Sequence, residues 1–116
     1  IKRSVKIHNS NRPVNKIEKV QLYKGDVSKT FPKFLKENPQ LIISLLHIDL
    51  DIYKPTKKVL EFARKRLVKG SVIAFDDLNA KDGPGETLAL IETLGLKKYK
   101  LHRNNFDSFL SYIVFE

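Results

Sequence analysis

The sequence predicts an α/β fold, a largely parallel sheet layered with helices, and three observations predict it. Residues 41–46 are apolar apart from Ser44, the pattern of a strand inside a parallel sheet rather than one with a wet face. Amphipathic stretches of helical period alternate with such runs, as strand-helix-strand units require. Two of the runs end in acids, Asp49 and Asp51 in one case and Asp76 and Asp77 in the other.

Taken in order, residues 1–17 are polar, basic and aperiodic, with Pro13 and several Asn, so an irregular lead-in or the end of a preceding element is expected. Residues 18–23 alternate weakly and stop at Gly25-Asp26, which reads as a short strand with a loop after it. Ser28 suits an N-cap, and Phe31, Phe34 and Leu35 share a helical face up to Asn38-Pro39. The run "LIISLLHID" follows as a central strand buried on both faces. From Pro55 at a first-turn position, "PTKKVLEFARKRLVKG" sets Val59, Leu60, Phe62, Ala63 and Leu67 on one side and ends at Gly70, a helix with a glycine stop. "SVIAFDD" is the next strand, and the loop "LNAKDGPG" leads to a helix over 86–94 with Leu88, Ala89, Ile91 and Leu94 inward. The segments "KKYKLHR" and "LSYIVFE" are joined by a link too short for a helical crossover, so they should pair antiparallel.

With 116 residues the chain has room for a single domain. The net charge of +9 raises a nucleic-acid reading. The cations are spread along the chain without aromatic interleaving, however, which favours a solvated basic face and weighs against nucleic acid as a partner; a non-catalytic basic nucleic-acid-binding domain stays as an alternative reading. The sequence has no Cys, which removes disulfides and fits a reducing cytoplasm. Its apolar runs are too short to span a bilayer. It also has no Met, even at position 1, and reads as part of something longer.

Four carboxylates carry the chemistry. If the strands ending in Asp49–Asp51 and Asp76–Asp77 are adjacent and parallel, all four acids meet at one sheet edge, where ligands bind in such sheets. Their repulsion is relieved by proton uptake or by a cation, and oxygen-only ligands favour Mg²⁺, then Mn²⁺ or Ca²⁺. A single Asp at a strand end is as often a helix cap; a DxD followed by a DD at the next strand end is more specific. His47, inside the apolar run, reads as a satisfied core histidine before a ligand or base. Tyr53 either lines a pocket or packs under the following helix.

The motifs "HIDLDIYKPT", "VKGSVIAFDD" and "GPGET", in this order over residues 20–115, resemble the C-terminal half of the macrocin O-methyltransferase family, S-adenosylmethionine-dependent enzymes that methylate sugar hydroxyls. The resemblance implies a Rossmann-like class I methyltransferase sheet, here strands 3 to 7 of the order 3-2-1-4-5-7-6, with residues 18–116 a partial domain. It implies Mg²⁺ (or Mn²⁺) ligands at Asp49, Asp76 and Asp77, and a general base at Asp51 or Asp49. It also implies S-adenosylmethionine contacts at Gly25, Asp26 and Val27, with Asp49 near the cofactor's amino end, and a sugar or other small hydroxyl compound as acceptor. The glycine-rich turn of strand 1 and the acid ending strand 2 have no counterpart here. The chain is therefore expected to lack the first two strands, to turn over little alone, and to self-associate or belong to a longer molecule. Two other enzyme classes carry DxD: glycosyltransferases using nucleotide sugars, and phosphatases with an aspartyl nucleophile. Ile52-Tyr53 argue against the second.

Overall fold

The computed structural model describes residues 1–14 and 16–116. Four helices and four strands follow one another as α1 (Lys2–Ser10), α2 (Val27–Glu37), β1 (Ile43–Ile48), α3 (Tyr53–Ala63), β2 (Leu67–Phe75), α4 (Gly85–Thr93), β3 (Leu101–Arg103) and β4 (Ser111–Val114). The strands form one mixed sheet in the order β1-β2-β4-β3. β1 and β2 run parallel, with Ile48 opposite Phe75, and α3 supplies the crossover that a parallel pair needs. β4 lies antiparallel to both β2 and β3.

The core gathers where these elements face one another. Ile48, Ile73, Phe75 and Ile113 from the sheet meet Leu60 of α3, Ala89 and Leu90 of α4, and Leu78 and Leu94 beside them. Each large aliphatic or aromatic side chain removed from water here contributes about 1.5–3 kcal/mol. The buried positions of β2 and β4 alternate, the period-2 signature of a sheet with one well-covered face.

Several expectations are corrected. The lead-in is helical over Lys2–Ser10, although none of its residues is buried. Residues 18–23 form no strand: a strand exists by pairing, and among the described residues no neighbour is hydrogen-bonded to this segment. β1 lies at the sheet edge with a partner on one side only, as expected of a chain without the first two strands rather than of a central strand, and Leu45 is 64% exposed where burial on both faces was expected.

α2 is capped by Asp26, whose side chain accepts from the Ser28 N–H, rather than by Ser28. α3 stops at Ala63 although the helical period runs on. Leu67 already pairs with Ile43, and the Ile43 N–H donates to the Arg66 carbonyl at 2.9 Å, so pairing with β1 overrides propensity. Gly70 is accordingly no helix stop. Ile43 sits opposite Leu67 and Leu45 opposite Val72, so β2 bulges between the two. Gly70 turns there with φ +87, a region in which a Cβ is strained. The buried Ser71 hydroxyl stitches this bulge, donating to the Ile43 carbonyl at 2.7 Å and accepting from the Val68 N–H at 2.8 Å. On α4 the inward residues are Glu86, Ala89 and Leu90, while Leu88 and Ile91 are 45% and 42% exposed.

Candidate functional site

Parallel pairing of β1 with β2 brings the carboxyl ends of both strands to the same edge. The Asp76 N–H donates to the Ile48 carbonyl at 3.0 Å, which continues the ladder one step beyond the strands and sets the acid loops side by side. Asp49 and Asp51 are exposed, and Asp76 and Asp77 partly so.

Asp51 occupies a strained turn. Its φ is +58, and the Ile52 N–H donates back to the Leu50 carbonyl at 2.6 Å, closing a three-residue γ-turn of the rare positive-φ kind. Such conformations persist where the surroundings over-determine them, and they concentrate at functional sites.

The acids act on one another. Partial burial pushes the Asp77 carboxyl above its usual range, and a hydrogen bond with the Asp51 carboxyl and the charges of Asp76, Asp51 and Asp49 push it further. A hydrogen bond between two carboxyl groups requires a proton on one of them. The same crowding that raises Asp77 is what a positively charged or proton-bearing group placed between the two loops would relieve.

The cation set implied for Asp49, Asp76 and Asp77 is not assembled: among the described residues no three His, Cys, Asp or Glu side chains are placed to hold one metal ion. His47 is no core histidine. Its side chain is 53% exposed and its Nε2 lies 3.7 Å from Asp76 Oδ1.

Glu86 escaped the sequence reading. It opens α4 fully buried at 0% exposure, its Oε1 accepting from the Leu50 N–H at 3.0 Å and its Oε2 from the Asp77 N–H at 3.4 Å. Burial pushes its carboxyl up, while the backbone N–H groups of Leu50, Asp77 and Asp51 pull it down. Gly85 makes the approach possible, since a Cβ there would overlap the Asp51 carbonyl oxygen and lie 2.6 Å from the Tyr53 nitrogen. The signal available in the sequence was the Glu of "GPGET", an acid in a first helical turn directly after the loop that carries Asp76 and Asp77.

Behind the acids, α3 and α4 are tied by polar contacts. Tyr53 Oη donates to Glu92, and Lys57 Nζ reaches Glu92 Oε2 at 2.6 Å and Tyr53 Oη at 2.9 Å. These bonds to Glu92 and Tyr53 raise the Lys57 pKa, and they lower that of Glu92. Tyr53 thus clamps two helices rather than presenting a free hydroxyl.

Gly25, Asp26 and Val27 form the turn into α2, where Asp26 Oδ1 accepts from the Ser28 N–H at 2.9 Å and the Ser28 hydroxyl at 2.7 Å. Two hollows flank this turn. One of about 250 Å³ is walled by Tyr23, Gly25, Val27, Thr30, Phe31 and Phe34. The other, about 550 Å³, runs from Asp26 and Ser28 to Ile52, Lys54, Pro55 and Lys58, joining the α2 turn to the loop of Asp51.

A family profile described as a methyltransferase domain matches residues 6–78. Two solved structures of CalS11 are similar throughout the chain. One is described as the apo structure of a TDP-rhamnose 3'-O-methyltransferase in calicheamicin biosynthesis, the other as calicheamicin methyltransferase. Both are 38% identical and cover 97% of the chain, with TM-scores of 0.92 and 0.93. The chain spans 49% and 44% of the lengths of these two structures. No curated protein sequence matches it.

Proposed function

Because the chain belongs to this methyltransferase-domain family, we propose that it is the acid-bearing part of an S-adenosylmethionine-dependent enzyme that methylates a hydroxyl of a sugar or similar small molecule. The observation that carries the reading is the convergence of the loops bearing Asp49, Asp51, Asp76 and Asp77 at the end of the parallel strand pair. The sheet order β1-β2-β4-β3 supports assigning these strands to 4, 5, 7 and 6 of a class I methyltransferase. The similarity to CalS11, which acts on TDP-rhamnose, supports a nucleotide-linked deoxysugar as the class of acceptor.

The residues present fit the cofactor. The aromatic-walled hollow beside Gly25 and Val27 suits a flat heterocycle, and the longer groove leads from Asp26 to the Asp51 loop. Gly25, Asp26 and Val27 would hold the adenine end and Asp49 the amino end. S-adenosylmethionine, when bound, supplies an electrophilic methyl group on a sulfonium.

A sugar hydroxyl is a poor nucleophile at neutral pH, so the chain's task is to orient it and remove its proton. Asp51 accepts that proton as the oxygen-methyl bond forms and the sulfur-methyl bond breaks, leaving a neutral thioether; positioned proton transfer of this kind contributes about 10²- to 10⁴-fold. Asp77, which holds a proton more tightly than an ordinary carboxyl, donates to Asp51 and keeps its oxygens aimed at the acceptor. No step is routed through a divalent cation on Asp49, Asp76 and Asp77, since the three are not assembled as ligands of one ion.

The test uses the full-length protein with S-adenosylmethionine and a nucleoside-diphosphate deoxysugar, the product being read by mass spectrometry. Methyl transfer should appear and should fall by at least about 100-fold in Asp51→Asn, while S-adenosylhomocysteine still binds. Affinity for nucleotide sugar without any methyl transfer would favour glycosyl transfer instead.

A further inference from the structure

The sharp bend at Asp51 and the approach of two acid loops need something to hold them, and the buried carboxyl of Glu86 is the group that touches both. We propose that Glu86 is a positioning residue: its two oxygens clamp the backbone after β1 to the backbone after β2, and so hold the Asp51 and Asp77 carboxyls in register for proton transfer. The role deepens the methyl-transfer reading and rests on it.

Three features separate this role from that of an ordinary helix-opening acid. A first-turn Glu gains from the helix dipole while remaining in water, and needs no burial to do so. Glu86 is instead wholly buried, a costly place for a carboxylate unless it is hydrogen-bonded. Its partners, too, lie outside α4. The Leu50 N–H is 36 residues away in sequence and the Asp77 N–H nine; Leu50 directly precedes Asp51, and Asp77 is the second of the two acids the chemistry needs. Finally, the contact is built for closeness. Gly85 lets the start of α4 press against the Asp51–Tyr53 backbone, which puts Glu86 within reach of both loops, its contact at Leu50 one residue from the positive-φ Asp51. A carboxylate offers two acceptor oxygens and no donor, so one side chain serves two N–H groups that would otherwise be unpaired between the loops.

The consequence is specific. Loss of the clamp leaves Asp51 and Asp77 chemically intact but allows their loops to part, and displacements of about 1 Å cost about 100-fold in rate. Binding of S-adenosylmethionine, which draws on the α2 turn, is largely spared.

The experiment compares wild type, Glu86→Gln and Glu86→Asp in the full-length protein by steady-state kinetics and by backbone hydrogen exchange. Glu86→Gln retains one acceptor oxygen and turns an NH₂ group against the second N–H. Amide exchange in the peptides containing Leu50 and Asp77 should accelerate by about 10- to 100-fold, the worth of a hydrogen bond to a charged acceptor. The kcat should fall by about 100-fold with KM for S-adenosylmethionine unchanged. Glu86→Asp keeps the charge but shortens the reach, so it should lose rate in the same way; it decides the question if Glu86→Gln does not fold. Wild-type exchange and wild-type kcat in the variant would overturn the proposal, and so would an equal loss in kcat and in cofactor affinity, which marks a merely structural role. Absence of methyl transfer in the wild type itself would sink the functional reading instead, leaving the exchange data to decide whether Glu86 clamps the loops.

Discussion

At the scale of single residues the site is a problem of crowded negative charge, answered in part by backbone donors. Asp77 is pushed up first by burial and then by its acidic neighbours, so its contribution to stability is present at low pH and is lost as pH rises through its raised pKa. Asp77→Asn should therefore stabilise the chain at neutral pH against denaturant, with the gain vanishing in acid; urea midpoints across a pH series check this. Asp26 has the opposite sign. Its pKa is lowered by the Ser28 hydroxyl and N–H, so its contribution is present above the ordinary carboxylate range and is lost as pH falls through the lowered value. Asp26→Ala should accordingly destabilise at neutral pH and not in strong acid. The acids themselves were legible in the sequence because two separated strand ends carried them. Glu86 was not, because its burial depends on α4 closing over the Asp51 loop at Gly85, a contact between segments that no local pattern announces.

Among the elements, α2, α3 and α4 were legible from their apolar period, since a helix closes its own hydrogen bonds. The strands were less so. Whether residues 18–23 form a strand depends on a neighbour, and whether α3 ends at Ala63 or Gly70 depends on β1 capturing Leu67; both are decided at a distance in the chain. The inward face of α4 was misread for a related reason. Its first turn is anchored by Gly85 and Glu86, and that anchor rotates Leu88 and Ile91 outward. Two substitutions test these joints. Gly85→Ala sets a methyl group against the Asp51 carbonyl and the Tyr53 nitrogen and should cost about 1–3 kcal/mol, the usual toll of overpacking. Ser71→Ala removes the hydroxyl that bridges the Ile43 carbonyl and the Val68 N–H, and should cost about 1–3 kcal/mol by leaving buried groups unpaired. Thermal melts of the two variants read both effects.

For the whole molecule, the fold class came from the alternation of apolar runs with helical periods and the family resemblance from motif order, and the family profile bears the resemblance out. Among the described residues none of the helices is long and apolar enough to cross a membrane. β1 leaves one edge of the sheet open, with Ile42 63% and Leu45 64% exposed, and an apolar open edge invites pairing with another strand. The 116-residue chain on its own should therefore self-associate, and Leu45→Lys should reduce that association in light scattering after size exclusion; a compact monomer at high concentration would count against it. The candidate site depends on two loops far apart in sequence sharing one edge of the sheet. The pH titration of the Asp77 carboxyl carbon, followed by NMR in wild type and in Asp51→Asn, measures that sharing directly. Asp77 should titrate above its usual range in the wild type and fall toward it when Asp51 loses its charge, whereas an identical titration curve in both proteins would contradict the convergence.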